Sequence, residues 1–223
     1  MKVLVIFLLL IPKVYAKEIK ILEIDTGVDL SHEEIRSHVN MGSWENNPNY
    51  QDFHGHGTHI AGLILKDTCK EVELISCKYF DLSYTNKQDM ENSINCFKLA
   101  IKTHFDIINY SSGGIEFNQL EYDIIKSIKN TIIVVAAGNN GHDISLYNYF
   151  PATYNIPNII VVGNLNGFFR NSSSNYGFEG MVYEQGTRIL STFPGGRFGV
   201  MTGTSQATAI HTNRLIRSMC EKK

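Results

Sequence analysis

Ser205 stands at the centre of the run Thr-Gly-Thr-Ser-Gln-Ala, residues 202–207. A serine hydroxyl is a poor nucleophile until a base takes its proton, and the charge created by its attack needs placed donors. The glycine permits a tight turn, and the helix-like run 205–220 puts the hydroxyl at a helix N-terminus, whose positive end favours oxyanion charge. Gly-Thr-Ser by itself is usually a turn or an N-cap, so a base, an orienter and a second donor must come from elsewhere. His56, in Asp52-Phe53-His54-Gly55-His56-Gly57-Thr58-His59, can take the Ser205 proton. Asp25, in Asp25-Thr26-Gly27, can hold a histidine ring in one tautomer. Asn139, in Gly138-Asn139-Asn140-Gly141, can aim its amide at an oxyanion, with the Ser205 N–H as the other donor. Together these make a Ser-His-Asp arrangement in the chain order Asp, His, Ser.

Each part also has a plainer role. Asp25 suits a turn before Gly27, and Asn139 suits a turn with Gly138. His54, His56 and His59 have a spacing that metals use, but no separate carboxylate or cysteine motif completes a site, and no metal is expected. His32, His38, His104, His142 and His211 have no partner pattern and are expected on the surface or in packing.

Positioning these groups requires particular elements. A strand over 20–24 ends at Asp25, where open α/β sheets gather their functional groups. A helix is predicted from His56 onward, then a strand over 72–80. The run 88–103 reads as an amphipathic helix burying Ile94, Phe97, Leu99 and Ile101. A strand over 105–110 ends in Ser111-Ser112-Gly113-Gly114, and a helix over 118–130 buries Leu120, Ile124, Ile125 and Ile128. Strands follow at 132–137 and 159–162, and short β-segments at 181–201 lead into the last helix. Runs apolar on both faces, alternating with helices, indicate a parallel sheet covered on both sides.

The chain has 223 residues, long enough for a real core in one domain. A net charge of -2, without a basic block, argues against nucleic acid or an anionic membrane as partner. Met1-Lys2, nine apolar residues over 3–11, Pro12 and Val14-Tyr15-Ala16 read as a secretory leader spanning 1–16, too short for a membrane span. That leaves 17–223 as one catalytic domain, secreted or periplasmic, with no membrane anchor after cleavage. Cys69, Cys77, Cys96 and Cys220 allow up to two disulfides in three connectivities, and Cys77 can equally be a free buried thiol.

Asp-Thr-Gly at Asp25, His-Gly-Thr-His-Ile-Ala-Gly at 56–62 and Gly-Thr-Ser-Gln-Ala around Ser205 resemble the three catalytic signatures of the subtilisin-like serine proteases, or subtilases. The resemblance runs from about 18 to about 219 and takes in Asn-Tyr-Ser-Ser-Gly-Gly at 109–114 and Ala-Gly-Asn at 137–139. It implies an α/β fold with a mostly parallel central sheet and helices on both faces. It also implies a serine endopeptidase acting on polypeptides through an acyl-enzyme, with Asp25, His56 and Ser205 as triad and Asn139 as oxyanion donor. Ser111, Ser112 and Gly113 and Ala136, Ala137 and Gly138 would line the pocket for the residue before the cut. Asn140 and Tyr149 would shape its base, the bulk of Tyr149 favouring small or medium side chains. An extended substrate would add to the 111–113 edge as a strand.

Departures from the family matter. Subtilases usually carry a pro-segment, yet residues 17–24 alone separate the expected cleavage point from Asp25. The loop 66–71 is shorter than in relatives that bind calcium there, so neither calcium nor any other cofactor is expected, despite the acidic Glu34. Thr208-Ala209 replaces the usual Ser/Thr-Pro. The last helix carries His211, Asn213, Arg214 and Arg217, expected as an uncovered polar face and a surface for a partner protein or inhibitor. The alternative function is a weak or inactive subtilase-like scaffold that binds peptides or a partner.

Overall fold

Short Ile- and Val-rich runs form the strands, since β-branched side chains pack well on a pleated surface. A computed structural model describes residues 18–39 and 50–222; the leader expected over 1–16 lies outside them. Strands β1 (Ile19–Asp25), β2 (Val72–Lys78), β3 (Ile107–Tyr110), β4 (Ile132–Ala136) and β5 (Ile159–Asn166) run parallel in the order β2-β1-β3-β4-β5. β6 (Phe169–Arg170) folds back antiparallel on the end of β5, and β7 (Val182–Gln185) pairs parallel with it. β8 (Ile189–Phe193) and β9 (Arg197–Met201) form a separate antiparallel hairpin. The helices are α1 (Glu33–Arg36), α2 (His56–Leu65), α3 (Asn86–Lys102), α4 (Gln119–Ser127) and α5 (Thr204–Cys220). The α/β class and mostly parallel sheet expected from the sequence are what the chain adopts.

The period of two in a strand sends alternate side chains to opposite faces. In β1, Ile19 and Ile21 join a core with Ile60 and Ile64 of α2 and Ala207 and Ile216 of α5. Leu22 and Ile24 join a second core with Ile94 and Phe97 of α3 and Ile124 and Ile125 of α4. Chain order reverses between β1 and β3, whose neighbours lie on opposite sides, and such a switch point opens a crevice at the carboxyl ends of the strands.

Several expectations need correcting. Ile101 and Leu120 are 55% and 53% exposed, so the buried faces of their helices are narrower than the spacing suggested. Cys69 pairs with Cys220 and Cys77 with Cys96, so Cys77 is not a free thiol. The last helix is not an uncovered polar element. Arg214 and Arg217 face solvent, but Asn213 is buried, with its amide on the Ile64 and Lys66 carbonyls, and His211 is half-buried against Glu184. Polar residues there serve inward hydrogen bonds as well as an outer face.

Candidate active site

Asp25 ends β1 and is buried. Its Oδ1 accepts a hydrogen bond from His56 Nδ1 at 2.7 Å and from the Thr26 N–H at 2.8 Å. A carboxylate on Nδ1 puts the ring proton there and leaves Nε2 as the basic nitrogen. Close backbone approach sets this geometry. Gly27 takes φ +97°, and a Cβ on Gly57 would collide with the Gly27 carbonyl oxygen.

The start of α2 is pinned by Asp52, which the sequence did not single out. Its Oδ1 accepts from Thr26 Oγ1 and from the His54 and Gly55 N–H groups, and its Oδ2 from the Thr58 N–H and Oγ1. A buried anion at a helix N-terminus satisfies orphan N–H groups and meets the positive end of the dipole. An Asp shortly ahead of a helix start is the signal that points to it. His59, by contrast, is buried with Nε2 at 3.1 and 3.2 Å from the Ile189 and Gly199 carbonyl oxygens, and burial pushes its pKa down.

Ser205 sits in the first turn of α5, where backbone N–H groups lack intrahelical partners. Its Oγ donates to the Ser111 carbonyl at 2.9 Å, and no hydrogen bond joins it to His56 among the described residues. The two helices that carry these side chains are packed together and tied by a hydrogen bond. Asn213 Nδ2 bonds the Ile64 carbonyl, and eight residues earlier on each helix stand Ser205 and His56.

Asn139 is held by the same helix end. Its Oδ1 accepts from the Thr204 N–H at 2.9 Å and from Thr204 Oγ1 at 3.2 Å, leaving Nδ2 as the free donor beside Gly203. Thr204 Oγ1 in turn accepts from the Gly138 N–H.

The expected pocket segments behave differently from one another. Ser111 is buried, and its Oγ braces Asn109 Nδ2 and the Ser205 carbonyl, so its side chain supports the site rather than lining a groove. Ser112 and Gly113 are half-exposed, with Tyr79 Oη donating to Ser112 Oγ, while Gly114 is paired in both directions with Phe150. Ala136, Ala137 and Gly138 are buried; Asn140 is exposed. Asn175, not foreseen, ties this turn together by accepting from the Asn140 and His142 N–H groups and donating to the Ala137 carbonyl. Between the two segments lies the Tyr149 ring. A Cβ on Gly113 would come 2.6 Å from its Cε1, and one on Gly138 2.9 Å from its Cε2. Beyond Gly113 and Gly114 opens a cavity of about 750 Å³, walled by Tyr79, Tyr110, Phe117 and Phe150 with Glu121 and Asp89.

Burial alone would push the His56 pKa down. The charge and hydrogen bond of Asp25, with Asp52 behind, outweigh it and leave the imidazole above its ordinary value. A histidine held by a carboxylate, a serine hydroxyl at a helix start and an amide fixed on that helix end are the types of group that acyl transfer by a serine uses.

Compared with known families, residues 16–215 match the model of the subtilase family, a peptidase family. The chain belongs to the subtilases. It is 34% identical over 204 residues to subtilisin E of Bacillus subtilis (strain 168), an alignment covering 85% of this chain and 52% of that protein. It is 31% identical over 217 residues to the major intracellular serine protease of the same strain, covering 87% of this chain and 66% of the relative. Among solved structures, a cold adapted subtilisin-like serine proteinase superposes with TM-score 0.78 at 26% identity, over 92% of this subtilase and 76% of that chain. This subtilase therefore spans about half the length of the first curated relatives it matches.

Proposed function

We propose that this subtilase is a serine endopeptidase. The observation that carries the reading is the 2.7 Å Asp25–His56 hydrogen bond at the start of α2, a helix packed against α5, whose first turn holds Ser205. In the proposed cycle the Ser205 side chain turns about χ1 from the Ser111 carbonyl toward His56 Nε2. Nε2 takes the hydroxyl proton as Oγ bonds to the peptide carbonyl carbon. Asn139 Nδ2 and the Ser205 N–H hold the resulting oxyanion. The intermediate collapses as His56 passes its proton to the leaving amine, giving an ester on Ser205. Water, deprotonated by His56, then attacks that ester, and His56 returns the proton to Ser205 Oγ as it leaves, releasing the acid product and restoring the free enzyme.

The substrate is an extended polypeptide, and the position of Tyr149 supports a preference for small residues before the cut. Its ring is wedged between the two glycines that would flank that side chain. Secretion is part of the proposal. Two disulfides and a leader-like N-terminus favour an oxidising compartment, and no helix among the described residues is long and apolar enough to cross a membrane.

A fluorophosphonate probe tests the activity. Labelling of the folded protein at pH 8 that disappears in Ser205→Ala is expected, with cleavage of unfolded casein. Folded protein that takes up no label and leaves casein intact removes the proteolytic reading and leaves a peptide-binding scaffold. A peptide library cut best after glycine or alanine is expected, and preference for large aromatics overturns the role given to Tyr149.

A further inference from the structure

Glu23 is a carboxyl where an apolar side chain would be expected. It lies on β1 two residues before Asp25, hence on the same face of the sheet. It is fully buried, and among the described residues the Ser76 hydroxyl is the polar side-chain group that reaches it, too poorly placed to make a well-formed hydrogen bond to either carboxyl oxygen. Asp25 Oδ2 likewise has no well-formed hydrogen bond among the described residues, because His56 and Thr26 both bond Oδ1. Same-face neighbours on a strand stand about 6.5–7 Å apart, a gap that the longer glutamate side chain can span.

Among the described residues this carboxyl has no counter-ion. β2 sets Ser76 opposite it, and β3 sets Asn109, whose amide is committed to Ser111 and Thr212. Thr212 is what α5 contributes on this side, while α2 brings the His56 and His59 rings toward Asp25. Asp52 adds negative charge from the loop before α2. Lys78, beside Asp25 on β2, has its ammonium on the Gln51 carbonyl and Asp81. Burial and then the Asp25 charge hold Glu23 well above the usual carboxylate range; the partial hydrogen bond from Ser76 opposes them and the Asp52 charge adds to them, and the balance favours the neutral acid. A neutral acid has one O–H to give, and Asp25 Oδ2 is an acceptor receiving none.

We infer that Glu23 is a positioning residue which, as the neutral acid, donates a hydrogen bond to Asp25 Oδ2 and so fixes the carboxylate that holds His56. The inference rests on the proteolytic reading. The donated bond draws charge off Asp25, weakens its pull on the imidazolium, and sets His56 lower than Asp25 alone would. It also makes folding take up a proton wherever the unfolded glutamate is ionised, so stability falls as pH rises above the ordinary glutamate pKa.

The test compares Glu23→Val and Glu23→Gln in the full chain, after fluorophosphonate labelling has shown wild type to be active. Unlabelled wild type refutes proteolysis itself, a separate failure. Glu23→Val should lower kcat about tenfold with KM unchanged, the scale of a lost hydrogen bond to a charged group. It should also move the acid limb of the kcat/KM profile upward and raise the denaturation midpoint at pH 8. Glu23→Gln, which keeps a neutral donor, should return both kcat and the acid limb close to wild type. The inference is overturned if Glu23→Val keeps the wild-type limb and kcat, or if Glu23→Gln departs as far as Glu23→Val. Destabilisation of both variants with unmoved limbs would mark a merely structural role and overturn it as well. Should Glu23→Val not fold, titration of the His56 Nδ1 proton by NMR in Glu23→Gln decides. A wild-type pKa supports the inference and a shifted one refutes it.

Discussion

The two faces of the central sheet are made by the same strands and are chemically unlike. Against α3 and α4 the buried side chains are Leu22, Ile24, Phe97, Ile125, Ile133 and Val135, an apolar layer held by packing. Against α2 and α5 the apolar layer gives way, toward the carboxyl ends of the strands, to Glu23, Asp25, Asn109, Thr208, Thr212 and Asn213, all buried. Most of these polar groups are bonded across elements, as Thr212 is to Asn109 and Asn213 to α2. Dispersion and burial do not fix direction, whereas hydrogen bonds in a low dielectric do. One face therefore supplies stability and the other supplies orientation.

Substitutions should separate the two. Ser205→Ala should reduce kcat by about 10⁶-fold while shifting stability by less than about 0.5 kcal/mol, measured by casein turnover and urea denaturation. A stability loss of several kcal/mol would break the comparison from the polar side. Phe97→Ala, on the apolar face, should do the opposite. It should cost about 3–5 kcal/mol in unfolding free energy and leave kcat of the remaining folded protein unchanged. A large fall in kcat would show that packing reaches the chemistry.

Asn139→Ala should lower kcat by about 10²–10³, or about 2.7–4 kcal/mol of barrier, with KM preserved. Equal loss in KM would mean that the amide binds substrate rather than the oxyanion. The smallest effect is in pH. Because Asp25 holds His56 above the ordinary imidazole pKa, kcat/KM should fall on the acid side with a midpoint above about 6.5. Stability has the opposite sign. The His56–Asp25 contribution is fully present below the unfolded histidine pKa and is lost as pH rises through the raised folded value. Activity and this part of the stability should therefore cross over in one window, read from a pH–rate profile beside denaturation midpoints. A limb at or below the ordinary value would break the link.

What the sequence determined by itself was whatever local pattern encodes. Alternation and helical spacing are properties of neighbouring residues, so the strands toward Asp25 and 110, the strand expected to 137 and found to end at 136, the helix from His56, the last helix expected from Ser205 and found from Thr204, and the mostly parallel sheet were legible to within a residue or so at these ends. The motifs around Asp25, His56, Asn139 and Ser205 were legible because each is a short run with a glycine where the backbone must turn or approach another chain segment. Asp52 opens the His56 run, but nothing in the run marks it as the acceptor that pins α2, and Asn175 lies in no such run, its partners being N–H groups more than thirty residues away. The pairing of Cys69 with Cys220, 151 residues away, and the seating of Tyr149 between Gly113 and Gly138 likewise depend on which distant segments become neighbours. Leu120 fits a helical stripe as well as Ile124 does, yet only Ile124 meets the sheet. Tertiary structure decided these points because burial and hydrogen bonding are relations between elements, and spacing along one element cannot specify its partner.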